Sequence, residues 1–426
     1  MSDERELLIT RLGAQGDGVA ETAGAPVFVP FALAGERVIA DVDGARGRLL
    51  RILQPSPDRI EPACCHFGTC GGCVVQHMSS NVYRAWKRDL VVSAFAARGL
   101  DVTVGDLVEP GGKRRRAVLS AERSDNGVAI GFHEAQSHAL VAITECPVLD
   151  PKIVAAIPAL KTLIAPLISK LGARLTVTAT KSGLDVLLDG IERKLTPDVR
   201  SRLASEASAL QLARLAIGND IVVETLPPFL TFATADVVLS PGCFVQAVAE
   251  AENEMVRRIL AAVGKVKSVA DLFCGIGAFT FPLAARAKVL AFDGNQPAIA
   301  ALNAAAKKAT GLRPITARVR DLFREPLSPL ELNEHDAIVF DPPRAGAEAQ
   351  AQRLARSKVK TVVAASCNPA TLARDARHLV DGGYKIESVT PIDQFVYSAH
   401  VEGVAVFRRY SGRDDVWNIV PSHMAA

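Results

Sequence analysis

The sequence lacks any hydrophobic run long enough to cross a bilayer as one helix, which takes about 20 apolar residues. Its most apolar region, Ile153 to Leu167, is broken by Pro158, Lys161 and Pro166. It also opens without an apolar leader: Met1-Ser2-Asp3-Glu4-Arg5-Glu6 is charged, which predicts no signal peptide and no membrane association. Charge of one sign is scarce. There are 49 Lys and Arg against 46 Asp and Glu, a net charge of +3. Such a balance, with 49% hydrophobic residues, excludes a disordered polyelectrolyte and leaves any polyanion to a local basic patch. The expectation is a cytoplasmic, globular chain of 426 residues with about three domains. Nothing marks an obligate protein partner. The eight cysteines are therefore expected as metal ligands, catalytic thiols or core residues rather than disulfides.

One of those cysteines organises the chain. Val359 to Ala365 reads as a buried strand, followed by Ser366-Cys367-Asn368-Pro369. Pro369 turns the chain, so Cys367 sits at the carboxyl end of a strand, where open α/β sheets place their ligands. A lone cysteine there is ordinarily a small core residue; the rest of the chain argues otherwise.

Residues 1–60 carry short strand-like runs at Leu8-Ile9, Val27–Pro30, Arg37–Val42 and Leu49–Leu53, punctuated by glycines. This predicts a small β-barrel of the OB type, a fold that often binds nucleic acid, although no row of aromatics marks an RNA surface. Cys64, Cys70 and Cys73 then form a cluster with glycines at 71 and 72. Cys146 is the fourth cysteine available before the catalytic region. Zinc and iron–sulfur clusters both accept four thiolates; three clustered cysteines and one distant one suit a [4Fe–4S] cluster better than a zinc ribbon. Cys65 reads as a spare neighbour. Arg84 to Leu100 has helical periodicity, and Lys113-Arg114-Arg115-Arg116 is the expected phosphate-contacting patch. A proline-broken helical region from Pro151, further strands and a helix start at Thr196-Pro197-Asp198 complete an α+β central domain, 61–240.

From residue 241 to 412 helices and strands alternate, which predicts a doubly wound, mostly parallel sheet, with a tail at 413–426. Strand Val269–Phe273 runs into Cys274-Gly275-Ile276-Gly277, a nucleotide-type cofactor turn. A dinucleotide fingerprint would want glycine at 280, which is Thr280. Asp293 ends the next strand, where a carboxylate can hold ribose hydroxyls, and Asp321 can border an adenine. The fourth strand ends in Asp341-Pro342-Pro343-Arg344, a rigid loop that nucleic-acid methyltransferases have and dehydrogenases do not need. That selects S-adenosylmethionine over a dinucleotide. A thiol beside a methyl donor fits pyrimidine chemistry. Thiolate addition to carbon 6 of uracil makes carbon 5 nucleophilic; a base must then take the carbon-5 proton. Glu402 is the candidate base, and otherwise a surface glutamate.

At these motifs the chain resembles bacterial RNA uracil-5 methyltransferases of the branch with an N-terminal TRAM domain and an iron–sulfur cluster, whose members modify 23S ribosomal RNA. The resemblance spans the barrel to Arg409. It implies a class I methyltransferase domain. It implies that Cys64, Cys70, Cys73 and Cys146 hold the [4Fe–4S] cluster, and that Gln246, Phe273, Asp293, Asp321 and Asp341 surround S-adenosylmethionine. Cys367 becomes the nucleophile, Glu402 the base and ribosomal RNA the expected substrate. It also implies that the helix near Arg84 to Leu100 packs on the catalytic domain. The chain departs from the family at Ala278, at Asp293 in place of glutamate, and at Phe395-Val396-Tyr397-Ser398 ahead of the base. Competing readings are a transfer RNA uracil-5 methyltransferase, an exocyclic-amine methyltransferase, an iron–sulfur redox protein and an inactive RNA-binding module.

Overall fold

The computed structural model describes residues 3–410 except 125, 126, 136, 193 and 194; the tail expected at 413–426 lies outside the described residues. Among the described residues no helix is long and apolar enough to cross a membrane.

The N-terminal strands are β1 (Glu4–Leu8), β2 (Arg11–Leu12), β3 (Gly18–Ala20), β4 (Val27–Val29), β5 (Arg37–Asp43) and β6 (Arg46–Gln54). They form one six-stranded half-barrel sheet in the order β1-β5-β6-β4-β3-β2. In β5 Val38, Ala40 and Val42 are buried while their neighbours are more exposed, the period of two that lets one strand face a core. Helix α1 (Ser80–Ala96) follows the cysteine cluster. Its buried residues Tyr83, Trp86, Lys87, Val91 and Phe95 recur at three- and four-residue spacing.

The next sheet contains β7 (Arg116–Ser124), β8 (Gly127–His133), β9 (Leu140–Ala142), β10 (Ala173–Thr180), β11 (Gly183–Asp189), β12 (Arg214–Ile217) and β13 (Asp220–Glu224). Helices α2 (Pro151–Ile164) and α3 (Pro197–Ala209) share its apolar core. The expected break at Pro158 does not occur: α2 runs straight through it. A proline inside a helix costs about 3 kcal/mol, and here Ile153, Ile157, Leu160, Leu163 and Ile164 bury one continuous face that offsets it.

The hairpin β14 (Phe229–Phe232) and β15 (Ala235–Val238) leads to α4 (Ala249–Val263) and the third large sheet. Its strands are β16 (Ser268–Leu272), β17 (Lys288–Asp293), β18 (Ile315–Val319), β19 (Ala337–Phe340), β20 (Thr361–Ser366), β21 (Lys385–Ile392) and β22 (Glu402–Arg408). Helices α5 (Thr280–Ala284), α6 (Gln296–Ala306), α7 (Pro329–Leu332), α8 (Glu348–Ala355) and α9 (Pro369–Asp381) connect them. The order is β18-β17-β16-β19-β20-β22-β21. The first five in space run parallel, and β22 is antiparallel to both β20 and β21. The chain leaves β16 in one direction and returns to its other side with β19, so a switch point opens at the carboxyl ends of these strands. Helix α1 packs on α9, and residues 104 and 108 bridge to β21, covering that exposed edge.

Candidate active site

The Gly-x-Gly turn after β16 is built from unusual backbone. Phe273, Gly275 and Gly277 all have positive φ. At Gly277 any Cβ would lie 2.7 Å from the Phe281 ring, so only glycine fits. Thr280 explains the missing third glycine: its hydroxyl donates to Oδ2 of the fully buried Asp271. Sequence reasoning counted Asp271 in the motif that leads to the turn but gave it no role. Its Oδ1 has no hydrogen-bond partner, and burial pushes its carboxyl up to about 7.

Above the turn lies a cavity of about 560 Å³, the size class of small-molecule sites. All five positions expected to meet the cofactor line it: Gln246, Phe273, Asp293, Asp321 and Asp341. Asp293 is oriented by the first βα turn, accepting from Gly275 N–H at 2.9 Å and from Asn295 N–H at 2.7 Å. Phe273 meets Phe323 at a tilt, with centroids 5.4 Å apart at 57°, and Asp321 Oδ1 fixes that partner by accepting from Phe323 N–H at 3.0 Å. Two aromatic faces and carboxylates at the ends of successive strands match an adenosine group.

Cys367 and Glu402 line the same cavity, brought there by strand direction. Parallel β20 ends where antiparallel β22 begins, and Ser366 registers opposite Gly403. The Ser366–Pro369 segment is locked locally. Ser366 Oγ accepts from Asn368 N–H at 3.2 Å, Asn368 caps α9 through Ala370 N–H at 3.1 Å, and Asn368 Nδ2 donates to Arg344 O at 3.1 Å. That last bond ties the cysteine loop to the Asp-Pro-Pro-Arg loop. Gly403 lets α9 approach: a Cβ there would meet Leu372 at 2.8 Å. Glu402 is 2% exposed, not a surface glutamate. Burial, then the neighbouring Asp341, raises its carboxyl well above the usual range, while a hydrogen bond from Gln394 opposes this. Burial also pushes Asp341 up to about 7. The Cys367 thiol is pushed up to about 11, by burial first and then by Glu402 and Asp341, with Arg344 opposing.

The residues 393–400 between β21 and β22 are held from α1. Lys87 is fully buried, and its three ammonium hydrogens meet three acceptors on this one loop: Asp393 Oδ1 at 3.0 Å, Phe395 O at 2.9 Å and His400 O. The Tyr83 hydroxyl donates to Asp393 Oδ2 and accepts from Tyr397 N–H at 3.1 Å. Tyr397 O in turn accepts from Val74 N–H at 2.8 Å and Val75 N–H at 3.3 Å. Sequence reasoning placed α1 against the catalytic domain but not this lysine; a cation in an apolar helical stripe normally reads as solvated.

A second cavity, of about 510 Å³, is lined by barrel residues Arg11 to Gln15, by Trp86, Asp89 and Ser93 of α1, and by Asn368 and His400. Cys367 and Arg344 line both cavities.

Cys64, Cys70, Cys73 and Cys146 line one small cavity of about 60 Å³, and Cys65 does not. Burial first, then the neighbouring thiols, pushes Cys73 up to about 11. Among the described residues no three His, Cys, Asp or Glu side chains stand close enough to hold one metal ion. Four thiols lining one cavity are the kind of donor set that zinc and iron–sulfur clusters both accept.

The basic run at 113–116 is not the solvated phosphate patch expected of it. Lys113 alone is exposed, and its ammonium donates to Pro147 O. Arg114 lines the cysteine cavity with its guanidinium 5.9 Å from the Phe395 ring centre. Arg115 pairs with buried Glu252 at 2.7 Å and donates to Gln246 O at 3.0 Å. Arg116 is half-buried. Arg114 and Arg115 precede β7, and the partners on Phe395, Glu252 and Gln246 draw their guanidinium groups inward.

Comparison with known proteins agrees with this geometry. Residues 210–409 match the family model tRNA (uracil-5-)-methyltransferase, and residues 3–51 match the TRAM domain. A Caulobacter vibrioides protein named as an uncharacterized RNA methyltransferase is 47% identical over 95% of this chain and all of its own length. The 23S rRNA (uracil(1939)-C(5))-methyltransferase RlmD of Vibrio vulnificus is 29% identical over 96% of this chain and 97% of its own. The structure is similar to that of the Pyrococcus abyssi tRNA (uracil-54, C5)-methyltransferase in complex with S-adenosyl-L-homocysteine. The TM-score is 0.74 at 24% identity, covering 94% of this chain and 99% of that one.

Proposed function

Because the chain belongs to the S-adenosylmethionine-dependent RNA (uracil-5-)-methyltransferase family, we propose that it methylates carbon 5 of one uridine in ribosomal RNA through a covalent adduct with Cys367. The observation that carries this is the position of Cys367 between two cavities. One cavity has the carboxylates and aromatics suited to a nucleoside cofactor. The other opens toward the TRAM-type sheet, from which RNA would enter. A methyl acceptor held at the sulfur would thus reach the donor cavity that the same cysteine lines.

When bound, S-adenosylmethionine supplies an electrophilic methyl group. Asp293 is the residue for its ribose, Phe273 and Asp321 border its base, and Gln246 and Asp341 border the reacting end. Cys367, as thiolate, adds to carbon 6 of uracil, and the ring electrons move to the carbon-4 oxygen. With the cofactor bound, carbon 5 would be the nucleophile positioned to accept its methyl group. Glu402 removes the carbon-5 proton, the electron pair re-forms the ring double bond, and the thiolate of Cys367 leaves. Arg344, beside Cys367 and exposed, is this chain's cation favouring the thiolate.

Ribosomal RNA is favoured over transfer RNA because the sequence relative with a stated substrate, at 29% identity over nearly the whole chain, acts on 23S RNA. The test is transfer of labelled methyl groups to 23S and transfer RNA transcripts, with the modified atom mapped by mass spectrometry. Methyl at carbon 5 of one ribosomal uridine is expected. Labelling of transfer RNA alone, or of an exocyclic amine, overturns the reading.

The four-cysteine cavity is read as a [4Fe–4S] site held by Cys64, Cys70, Cys73 and Cys146. When bound, the cluster would cross-link the 64–73 segment to Cys146. Protein prepared without oxygen should contain about four irons per chain. Cys64→Ser should lose them, whereas Cys65→Ser at the exposed neighbour should keep them. Stoichiometric zinc without iron would reject the assignment.

A further inference from the structure

A glutamine amide has an acceptor end and a donor end, and its partners decide which is which. The backbone N–H of Val248 meets Gln394 Oε1 at 3.4 Å. An N–H only donates, so that end of Gln394 is oxygen. Its Nε2 then donates to Gln246 Oε1 at 2.9 Å and to Glu402 Oε2 at 3.2 Å. The constraint passes on. With its oxygen already facing Gln394, Gln246 turns Nε2 to Asp341 Oδ2, at 2.8 Å. Gln394 is 1% exposed, Glu402 2% and Gln246 7%. One backbone N–H therefore sets the direction of an amide chain that ends on both carboxylates of the site.

We infer that Gln394 is a positioning residue of this methyltransferase, orienting Glu402 for removal of the carbon-5 proton and fixing the Gln246 amide toward Asp341. The inference rests on Glu402 acting as the base. The loop that carries Gln394 is suited to this role, since Lys87 pins the residues on either side of it, Asp393 and Phe395.

The physical effect has a definite sign. Glu402 faces Asp341 and Cys367, with Glu252 and its partner Arg115 beyond Gln246 and Arg344 at the cavity wall. Two buried carboxylates disfavour each other's charge, and a donor on one of them favours its ionised form. Without Gln394 the carboxylate of Glu402 should take up a proton at higher pH. A base must be deprotonated, so the acid limb of the release step should move upward.

The experiment uses the full chain and follows a single turnover on its RNA. Gln394→Met keeps length and burial but removes both hydrogen-bonding ends. Gln394→Glu keeps an acceptor for Val248 and, when ionised, offers no donor to Glu402; it serves if the methionine variant does not fold. Each should still bind S-adenosylmethionine, weakened only by the freed Gln246 amide, because Asp293, Phe273 and Asp321 do not hydrogen-bond Gln394. Methylated adduct should form and then resolve about a hundredfold more slowly, in the range for loss of one oriented donor. The acid limb should rise by about one pH unit. Glu402→Gln is measured alongside. If Glu402→Gln releases product like the parent, the base assignment fails and this role with it. If Glu402→Gln stalls while both Gln394 variants release at the parental rate with an unmoved acid limb, the role of Gln394 alone is overturned.

Discussion

RNA carrying 5-fluorouracil at the target position should be methylated once and then remain bonded to the protein through Cys367. Fluorine at carbon 5 cannot depart as a proton does, so the final elimination has nothing to remove and the carbon 6–sulfur bond persists. Cys367→Ala should form no adduct and lose turnover by about 10⁴-fold or more, the scale on which a covalent nucleophile is missed. It should still bind S-adenosylmethionine, because Asp293, Phe273 and Asp321 lie at or just after the ends of other strands. Adduct formation should also speed up as pH rises through neutrality. The thiol is pushed up to about 11 by burial and by Glu402 and Asp341, so below that value each added pH unit enlarges the thiolate fraction. Normal carbon-5 methylation by Cys367→Ala would return this cysteine to the role of a strand-end core residue.

Lys87→Met should destabilise the protein by about 3–5 kcal/mol, the usual cost of leaving one member of a buried ion pair alone. Lys87 and Asp393 have side chains 0% and 2% exposed. Burial pushes the Lys87 ammonium toward its neutral form and Asp393 pulls it back. Removing the lysine strands the Asp393 carboxylate and leaves the carbonyls of Phe395 and His400 without their donor. The double variant Lys87→Met with Asp393→Asn should recover most of the loss, because the isolated charge is gone. Its loop should nonetheless exchange amide hydrogens faster across residues 394–402. Urea unfolding separates these effects. A Lys87→Met protein within about 1 kcal/mol of the parent would mean that water or a rearranged partner satisfies Asp393, and that the clasp is not a stabilising element.

The comparison between sequence and structure turns on how local each signal was. The run Val269–Phe273 followed by Gly-x-Gly announced a strand and a cofactor turn because both are set by neighbouring residues, and the strand lies at Ser268–Leu272. The helix start at Thr196-Pro197-Asp198 was legible for the same reason, and Thr196 caps Val199 N–H. Pro158 misled because a buried face of α2 outweighed one lost hydrogen bond. The run 113–116 is less exposed than four adjacent charges suggest, because Arg114 and Arg115 find partners inside the protein.

By itself the sequence determined the sheet classes, the cofactor turn, the Asp-Pro-Pro loop, the cysteine spacing and the place of Cys367 at a strand end. All of these are short-range patterns whose geometry follows from local backbone preferences. Only the tertiary structure decided the meeting of Glu402 with Cys367. They are 35 positions apart in the chain, joined because β22 is inserted antiparallel beside β20, so that its first residue faces the last residues of β20. It likewise decided that Lys87, in a helix before the second sheet, would close its ammonium on a loop 306 residues away, and that Gln394 would link two carboxylates. Such contacts depend on strand order and burial. A sequence pattern does not encode which distant element will arrive, and the burial of an amide or a cation is settled only once its partners are in place.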